Sequence, residues 1–489
     1  MFPELPAALA LIGIVILLAS LVSGIIERSG IPQVGLFLLL GAVLGPAGLG
    51  LVDLTLQSPT LQVIATLALV LVLFTDAITL DFSEVRKQHR LALLVLGPGT
   101  LIPAWLIGVA GWLLLDLSPA AAAILGAALA STDPVLLRNL LRRPSLPGTA
   151  RVGLRLESGM NDAVLLPIVV LGILAIHSGD SIDPMEFASH AVGLFILGPA
   201  LGALIGYTGI TLLEQVRARV GVRRDYESLY ALGIAFTAFA AAEAVGGSGF
   251  LAAFAAGVVV AALDVELCDC FLDYGQATAE MFLLFTFVAF GAWLIWSGVT
   301  VAEPRTLLFA VIALATRTVV LLPVLAGSGL EPRSRRLIAW IGPRGLSSLL
   351  LILLPVFAGM PGSERLFAIT CLVVLLSVVL HGAGIAVVLR KDMPPAPEVG
   401  TPGVVPPAQA VTTQPSAAAA VPERISLDEL RRLYQDGEHV VLADARTGRT
   451  YATDNLRAEG AVRLDPDDAV RQARELGLDH HGTMVVYCA

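Results

Sequence analysis

The chain has 489 residues, of which 56% are hydrophobic and only 15% are charged, and its mean hydropathy is +0.82. A soluble surface needs roughly a quarter of its residues charged, so the composition excludes an ordinary soluble enzyme and a disordered or collagen-like chain, and it predicts a membrane protein. The net charge of −9 excludes the basic face of a nucleic-acid-binding protein, and four scattered cysteines do not make a disulfide framework.

Apolar blocks of about 20 residues, the length that crosses a bilayer core, fill residues 1–391. They predict an all-α polytopic membrane domain. Since no basic residue precedes Arg28, the first block is expected to be a retained span rather than a signal peptide. Thirteen spans are predicted, at 5–26, 31–50, 61–80, 91–115, 119–140, 153–176, 190–213, 228–245, 248–263, 278–298, 304–326, 337–359 and 365–389.

Lys and Arg alternate between the predicted loops. Seventeen of them lie in the odd-numbered loops or directly after the last span, whereas the even-numbered loops hold only Arg305 and Arg365. By the positive-inside rule the N-terminus lies outside and the tail is cytoplasmic, as expected in the inner (plasma) membrane of a cell. The acidic loop 264–273 departs from the alternation, but acidic residues contribute little to the rule.

Two predicted spans are interrupted. In the fifth, Pro134 follows Ser131-Thr132-Asp133, where it removes a backbone hydrogen bond and makes nearby carbonyls available as ligands. The twelfth contains Gly342-Pro343-Arg344-Gly345. A pair of interrupted helices in the two halves of a long bundle indicates an ion site at the membrane midplane. The alternative is the ordinary frequency of Pro and Gly in membrane helices.

Charged residues at membrane depth need an explanation, since each costs ~2.5–3.5 kcal/mol at a helix centre. They must face a wet cavity or each other. Besides the residues of the two breaks and of the sixth span, this set contains Asp76, Arg155, Glu243 and Arg317.

The sixth span carries the densest group of polar residues, Glu157-Ser158-Gly159-Met160-Asn161-Asp162. Ser158 and Asp162 are one helical turn apart, so they offer a hydroxyl and a carboxylate to a small cation or a proton. Glu157 faces another way and needs a partner, for which we predict Arg344. The alternative is a polar network that packs helices and binds no ion.

These residues resemble the monovalent cation:proton antiporter family, in its sodium/proton exchanger branch. The resemblance covers residues 5–389 and implies a bundle with inverted repeats, divided into a core domain and a dimerisation domain and working as a homodimer. The matching motifs are Leu73-Phe74-Thr75-Asp76, Ser131-Thr132-Asp133-Pro134-Val135, Glu157-Ser158-Gly159-Met160-Asn161-Asp162, Gly247-Ser248-Gly249-Phe250-Leu251-Ala252 and Gly342-Pro343-Arg344-Gly345.

The resemblance also implies roles for the ion site. Asp162 would bind the cation and the proton in turn, while Asp133, Ser158 and the carbonyl of Thr132 would complete the site. The Asn at position 161, directly before that Asp, implies electroneutral exchange of one cation for one proton.

Further residues have supporting roles in the family pattern. Glu157 and Arg344 would form a structural ion pair steadied by Asn161. Asp76 would lie in a cytoplasmic funnel, and Arg317 is a further polar residue that fits the pattern.

The expected function is antiport of a monovalent cation, Na⁺ first with Li⁺ or K⁺ as alternatives, against H⁺ by alternating access, serving pH and sodium homeostasis. Competition for one carboxylate couples the two fluxes, so no enzymatic step, cofactor or resident metal is expected. The alternative is a cation channel or a tail-gated sensor on the same scaffold. A channel would need a pore lined by repeated carbonyls or charge rings, and the sequence shows no such repeat.

Residues 392–424 are predicted to be a linker, because 394–422 hold eight prolines and a single charged residue, Glu398. Residues 425–489 have the charge density of a small α/β cytoplasmic domain. Ser426-Leu427-Asp428-Glu429 has the spacing of a capping box. Strands are predicted at 440–443 and 484–487, with a helix near 467–476.

The tail resembles a rhodanese-like domain, since Asp444-Ala445-Arg446 follows a strand and Cys488, in the place of the persulfide-carrying cysteine, follows a later one. The family's thiolate-stabilising loop does not follow Cys488, so the domain is expected to be incomplete and without sulfurtransferase activity. A docking or redox-sensing role is an open hypothesis. Cys268 and Cys270 are expected to be incidental rather than a metal site, and His381 to be a packing residue.

Overall fold

Apolar stretches fold into helices along most of the first 391 residues, as their composition predicts. The computed structural model describes residues 33–391 except 52–54, 81, 142–145, 178–183, 221–223 and 264–268, with residues 13, 16, 17 and 21 before them. In the tail it describes 430–431, 433–434, 440–446, 458, 460–464, 469–478 and 483–487. Most of the first predicted span, the linker 392–424 and Cys488 lie outside this set. The chain divides into two compact units, Met1–Glu398 and Val399–Ala489.

The membrane unit is all helical in its described part. It contains one π-helical turn in its described residues, at Gly193–Leu197, and short 3₁₀ turns at Leu294–Trp296 and Leu325–Gly327. The helices are α1 (Gln33–Leu44), α2 (Pro59–Ile78), α3 (Phe82–Lys87), α4 (His89–Leu96), α5 (Pro98–Leu115), α6 (Pro119–Ala130), α7 (Pro134–Leu141), α8 (Gly148–His177), α9 (Pro184–Val192), α10 (Gly198–Arg219), α11 (Arg224–Ala244), α12 (Gly249–Ala262), α13 (Asp269–Ala292), α14 (Ser297–Thr300), α15 (Pro304–Val324), α16 (Pro332–Trp340), α17 (Leu346–Phe357) and α18 (Ser363–Lys391).

Six helices of the described residues are long and apolar enough to cross a membrane, and a bent pair, Met281–Ala292 with Leu294–Thr300, makes up to a seventh span. Five further apolar helices are shorter, at 10–17 residues. The helical polytopic architecture is therefore confirmed, whereas the count of thirteen spans stays a prediction. Two of the shorter helices, α6 and α17, are short because the chain unwinds at one end of each.

Helices α6, α8 and α17 pack against one another in the main hydrophobic core. The core buries large side chains from many helices, among them Leu61, Phe290, Phe309 and Phe367. A smaller cluster, including Leu137, Leu154 and Ile338, lies close to the residues at which α16 ends. The polar residues of the sixth predicted span thus lie on one long helix, α8, inside an apolar surround.

The described residues of the tail unit form a three-stranded sheet of β1 (Val440–Asp444), β2 (Val462–Arg463) and β3 (Thr483–Tyr487). All pairings are parallel, and the order is β2-β1-β3, with Asp444 opposite both Arg463 and Tyr487. Helix α19 (Ala469–Glu475) precedes β3, as the crossover between parallel strands requires. The predicted strands and helix agree with these bounds to within two residues.

Candidate functional site

The two helix breaks touch each other in the core. The first break, residues 131–133, lies between α6 and α7, and the second, residues 341–345, lies between α16 and α17. The amide of Asp133 donates a hydrogen bond to the carbonyl of Pro343 at 2.9 Å. Because both segments are buried, this contact lets each unwound backbone satisfy part of the other's hydrogen-bonding requirement.

Each break supplies a charge to the other's helix end. The Arg344 guanidinium donates through Nη1 to the carbonyls of Ala130 and Ser131, at 2.6 and 3.0 Å, at the C-terminus of α6. The Asp133 Oδ2 accepts from the amide of Leu346 at 2.7 Å, at the N-terminus of α17. A cation at a helix C-terminus and an anion at an N-terminus are both stabilised by the helix dipole. The carbonyl of Ser131, in the first break, is therefore already hydrogen-bonded.

The structure corrects the predicted partner of Glu157, which is Arg317 and not Arg344. On α15, Arg317 donates through Nε to Glu157 Oε1 at 2.8 Å and through Nη2 to Oε2, and through Nη1 to the carbonyl of Ala339 at 2.9 Å. Both side chains are buried. Arg344 is not the ion-pair partner because its guanidinium is directed to the end of α6.

The two glycines around Pro343-Arg344 are required by close approach. A Cβ on Gly342 would collide with the guanidinium of Arg317, and a Cβ on Gly345 would collide with the Asp133 carboxylate. The motif thus leaves room for the two charged side chains that flank the second break.

Asp162 lies between the two breaks, on α8. The hydroxyl of Ser131, in the first break, donates to Asp162 Oδ1. The hydroxyl of Ser347, in the first turn of α17, lies close to this carboxylate. Next to it, Asn161 donates through Nδ2 to Thr132 Oγ1 at 2.7 Å. Asp162 is only 4% exposed. It is therefore a buried carboxylate, and serine hydroxyls lie beside it.

The structure brings most of the predicted site residues together but in different contacts. The Ser158 hydroxyl is 3.5 Å from the carbonyl of Arg155 on its own helix, and Thr132 contacts Asn161 through its side chain. Asn161 therefore braces the first break rather than the Glu157 pair. Sequence reasoning missed the Ser131 hydroxyl as the hydrogen-bond partner of Asp162. It also missed Ser347 as a neighbour, although Ser131 lies in the first break and Ser347 in the first turn after the second one.

A cavity of about 370 Å³ reaches this region. Ser158 and Ser347, which flank Asp162, form part of its wall, as do Asp76 and Asp133. Arg151, in the first turn of α8, and Thr79, after the end of α2, line it as well, so it opens from the end of the bundle that carries the Lys- and Arg-rich loops. Asp76 is thus a lining residue of the cavity, and its role in a cytoplasmic funnel stays a prediction.

Glu243 has a different role from the one expected for a charge at membrane depth. Its Oε1 accepts from the amide of Gly249 at 2.8 Å, at the start of α12, and the residue is exposed. This carboxylate caps a helix N-terminus and lies outside the wall of the cavity.

The fold and the site define a polytopic membrane protein with a buried carboxylate beside two helix breaks that contact each other. Residues 14–391 match the family described as sodium/hydrogen exchanger, transmembrane. Because this match spans more than half of the chain, the protein belongs to that family.

Relatives and a solved structure agree with this assignment. The chain is 28% identical over 393 residues to the K(+)/H(+) antiporter NhaP2 of Shewanella sp. (strain ANA-3), covering 77% of this chain and 66% of the relative. It is 26% identical over 348 residues to the Na(+)/H(+) antiporter NhaG of Bacillus atrophaeus, covering 67% and 63%. The chain thus spans about two thirds of the length of these relatives. The sodium proton antiporter MjNhaP1 from Methanocaldococcus jannaschii has the same fold, with a TM-score of 0.62 at 22% identity over 78% of this chain and 99% of that one.

Proposed function

We propose that this protein exchanges a monovalent cation, Na⁺ or K⁺, for H⁺ across a membrane by alternating access. The observation that carries the proposal is the Asp162 carboxylate. It is buried where two helix breaks meet, with the hydroxyls of Ser131 and Ser347 beside it. Unwound backbone at membrane depth is tolerated where it lines a cavity, and ionisable groups there mark ion and proton pathways.

Competition at one group provides the coupling. The Asp162 carboxylate can bind a cation or a proton but not both, and either form neutralises its charge for the conformational change. Ser131 and Ser347 are positioned to contribute oxygens beside it, with Ser158 and the Thr132 carbonyl as further ligands. The Asp133 carboxylate accepts a hydrogen bond from the N-terminus of α17. It is therefore proposed as a supporting carboxylate and not as the one that exchanges the cation and the proton.

Electroneutral exchange follows from the neutral side chain at position 161. Asn161 carries no proton that could move with the ion, and its amide is used to brace Thr132. One exchanging carboxylate gives one cation per proton. The test is exchange at clamped membrane potentials in proteoliposomes, where an electroneutral cycle runs at the same rate at each potential.

The transport assay identifies the ion. Na⁺, K⁺ and Li⁺ all take oxygen ligands, and cavity size decides among them. The names of the relatives include both K(+)/H(+) and Na(+)/H(+) antiporters. We propose that either ion supports a role in pH and cation homeostasis.

The function is tested with proteoliposomes that hold a pH gradient reported by a dye. NaCl, KCl, LiCl or choline chloride is added to wild type and to Asp162→Asn. We expect Na⁺ or K⁺ to dissipate the gradient, choline to have no effect, and the variant to be inactive. Absence of cation-dependent dissipation from about pH 6 to 9 would contradict antiport and favour the channel or sensor alternative.

The orientation is proposed from the loop charges, with the N-terminus outside the inner membrane and the tail in the cytoplasm. The cavity, at the end with the basic loops, then faces the cytoplasm. Access of a membrane-impermeant protease to a C-terminal tag, in intact cells against inverted vesicles, tests it. The homodimer is likewise proposed from the family resemblance, and cross-linking in membranes checks it.

For the tail we keep the rhodanese-like domain as a proposal. It is supported by the parallel order β2-β1-β3 and by Asp444 and Arg446 at the end of β1. A thiosulfate:cyanide transfer assay on the purified protein tests whether this domain transfers sulfur.

A further inference from the structure

Helix α18 contacts the second break through three residues that the ion site has not used. Ser377, His381 and Gly384 are spaced i, i+4 and i+7 and therefore lie on one face of the helix. This face packs against the segment between Trp340, the last residue of α16, and Arg344.

Ser377 satisfies a backbone donor that the break leaves without a helical partner. The amide of Arg344 donates to Ser377 Oγ at 2.7 Å, and Ser377 is fully buried. A buried amide without an acceptor is strongly unfavourable. The Ser377 hydroxyl therefore fixes the backbone of Arg344 at one point.

His381 extends the same contact. Its Nδ1 lies 3.0 Å from Ser377 Oγ, and its ring centroid is 5.9 Å from that of Trp340. Since Ser377 Oγ accepts from the Arg344 amide, its hydroxyl hydrogen is free to donate to Nδ1 in the tautomer that carries the imidazole proton on Nε2. Gly384 makes room for the Trp340 ring, which a Cβ at that position would meet. The face thus holds both ends of the unwound segment.

We propose that Ser377 and His381 are positioning residues of the ion site, acting through Arg344; this inference rests on the proposed function. Fixing the Arg344 backbone directs its guanidinium to the carbonyls of Ala130 and Ser131. Those contacts hold the first break, and with it the Ser131 hydroxyl that bonds Asp162. His381, expected to be a packing residue, therefore has a polar role.

The test compares two buried hydroxyls on the same helix. Ser377→Ala removes the acceptor of the Arg344 amide, whereas the control Thr370→Val removes a buried hydroxyl that donates only to Leu366 O of its own helix, at 2.9 Å. The cation KM and Vmax of exchange are measured in proteoliposomes, together with the melting temperature. We expect Ser377→Ala to raise the cation KM about fivefold or more, Thr370→Val to change it less than about twofold, and Ser377→Thr, which keeps the hydroxyl, to restore it.

A second pair of variants keeps the inference testable if Ser377→Ala fails to fold. His381→Asn retains a polar group near the position of Nδ1, and His381→Leu does not, so the cation KM should rise only in His381→Leu. Equal KM values for Ser377→Ala and Thr370→Val, or for the two His381 variants, would overturn the inference while wild type still exchanges. Absence of exchange by wild type would instead contradict the proposed function, and the positioning role with it.

Discussion

Arg317 and Arg344 are two buried arginines at the second helix break, yet different groups balance their charges. Arg317 meets Glu157 through two nitrogens, whereas Arg344 meets two backbone carbonyls at the end of α6. Their exposed fractions are 3% and 1%. The difference shows that a broken helix can itself serve as the counter-charge of a buried side chain, because its last carbonyls have no helical partners.

The same comparison separates a structural pair from a site residue. Glu157 and Arg317 join α8 to α15 next to the site, while Arg344 and Asp133 join the two breaks directly. Loss of the pair should therefore affect stability most, and loss of the helix-end contacts should affect the ion site most.

The largest expected effect is that of Arg317→Met, which leaves the Glu157 carboxylate buried without its partner. We expect a loss of ~3–5 kcal/mol in the free energy of unfolding. Adding Glu157→Gln should restore part of it, since the uncompensated charge is gone. Thermal and denaturant unfolding in detergent measure both. A double variant as unstable as the sum of the two single variants would show that these side chains do not interact.

Arg344→Met should have a smaller effect on stability and a larger one on the ion site. It removes the Arg344 donor from the carbonyls of Ala130 and Ser131, at a cost of ~1–3 kcal/mol, and we expect a raised cation KM. Glu157→Gln should not rescue this variant. Rescue by Glu157→Gln would instead identify Arg344 as the partner of Glu157 and reverse the comparison.

Substitution of the two glycines of the second break tests the same comparison of Arg317 and Arg344. Gly342→Ala places a Cβ against Arg317, and Gly345→Ala places one against Asp133, so each should cost ~1–3 kcal/mol through overpacking. Gly233→Ala is the control, since nothing lies within 4 Å of its added Cβ. We expect Gly342→Ala to lower the melting temperature and Gly345→Ala to lower exchange activity as well. Wild-type behaviour of both would refute the close approach at the break.

The smallest effect concerns a pair of opposite charges in the tail unit, Asp444 and Arg446. The hydrogen bonds from Arg446 hold the pKa of Asp444 well below its usual range, and Tyr487 OH adds one at 3.0 Å. A lowered folded-state pKa stabilises the tail above the ordinary aspartate pKa of about 4, and this contribution declines as the pH falls below it. Hydrogen exchange of β1 and β3 in the full-length protein should show the loss on acidification, and Asp444→Asn should weaken the pH dependence. An unchanged profile in the variant would contradict the role of Asp444.

The sequence predicted the break positions and the central place of Asp162 well, because Pro134, Pro343 and charges in apolar runs are strong local signals. It failed for Glu157, since helical periodicity tells which face a carboxylate is on and not which distant helix meets that face. The positions of Ser131 and Ser347 beside Asp162 were also missed. These positions depend on how the two breaks pack together in the folded protein, and the local sequence of one break does not specify its contacts with the other.

The central claim is that the cation and the proton compete for Asp162. The most direct measurement is the cation-induced rise in melting temperature of the purified protein, titrated with NaCl and KCl at several pH values, for wild type and Asp162→Asn. We predict that, below the ionisation range of the carboxylate, the half-maximal cation concentration in wild type increases about tenfold per unit fall in pH, and that the variant shows no specific shift. A shift that persists in Asp162→Asn, or that does not depend on pH in wild type, would contradict the account.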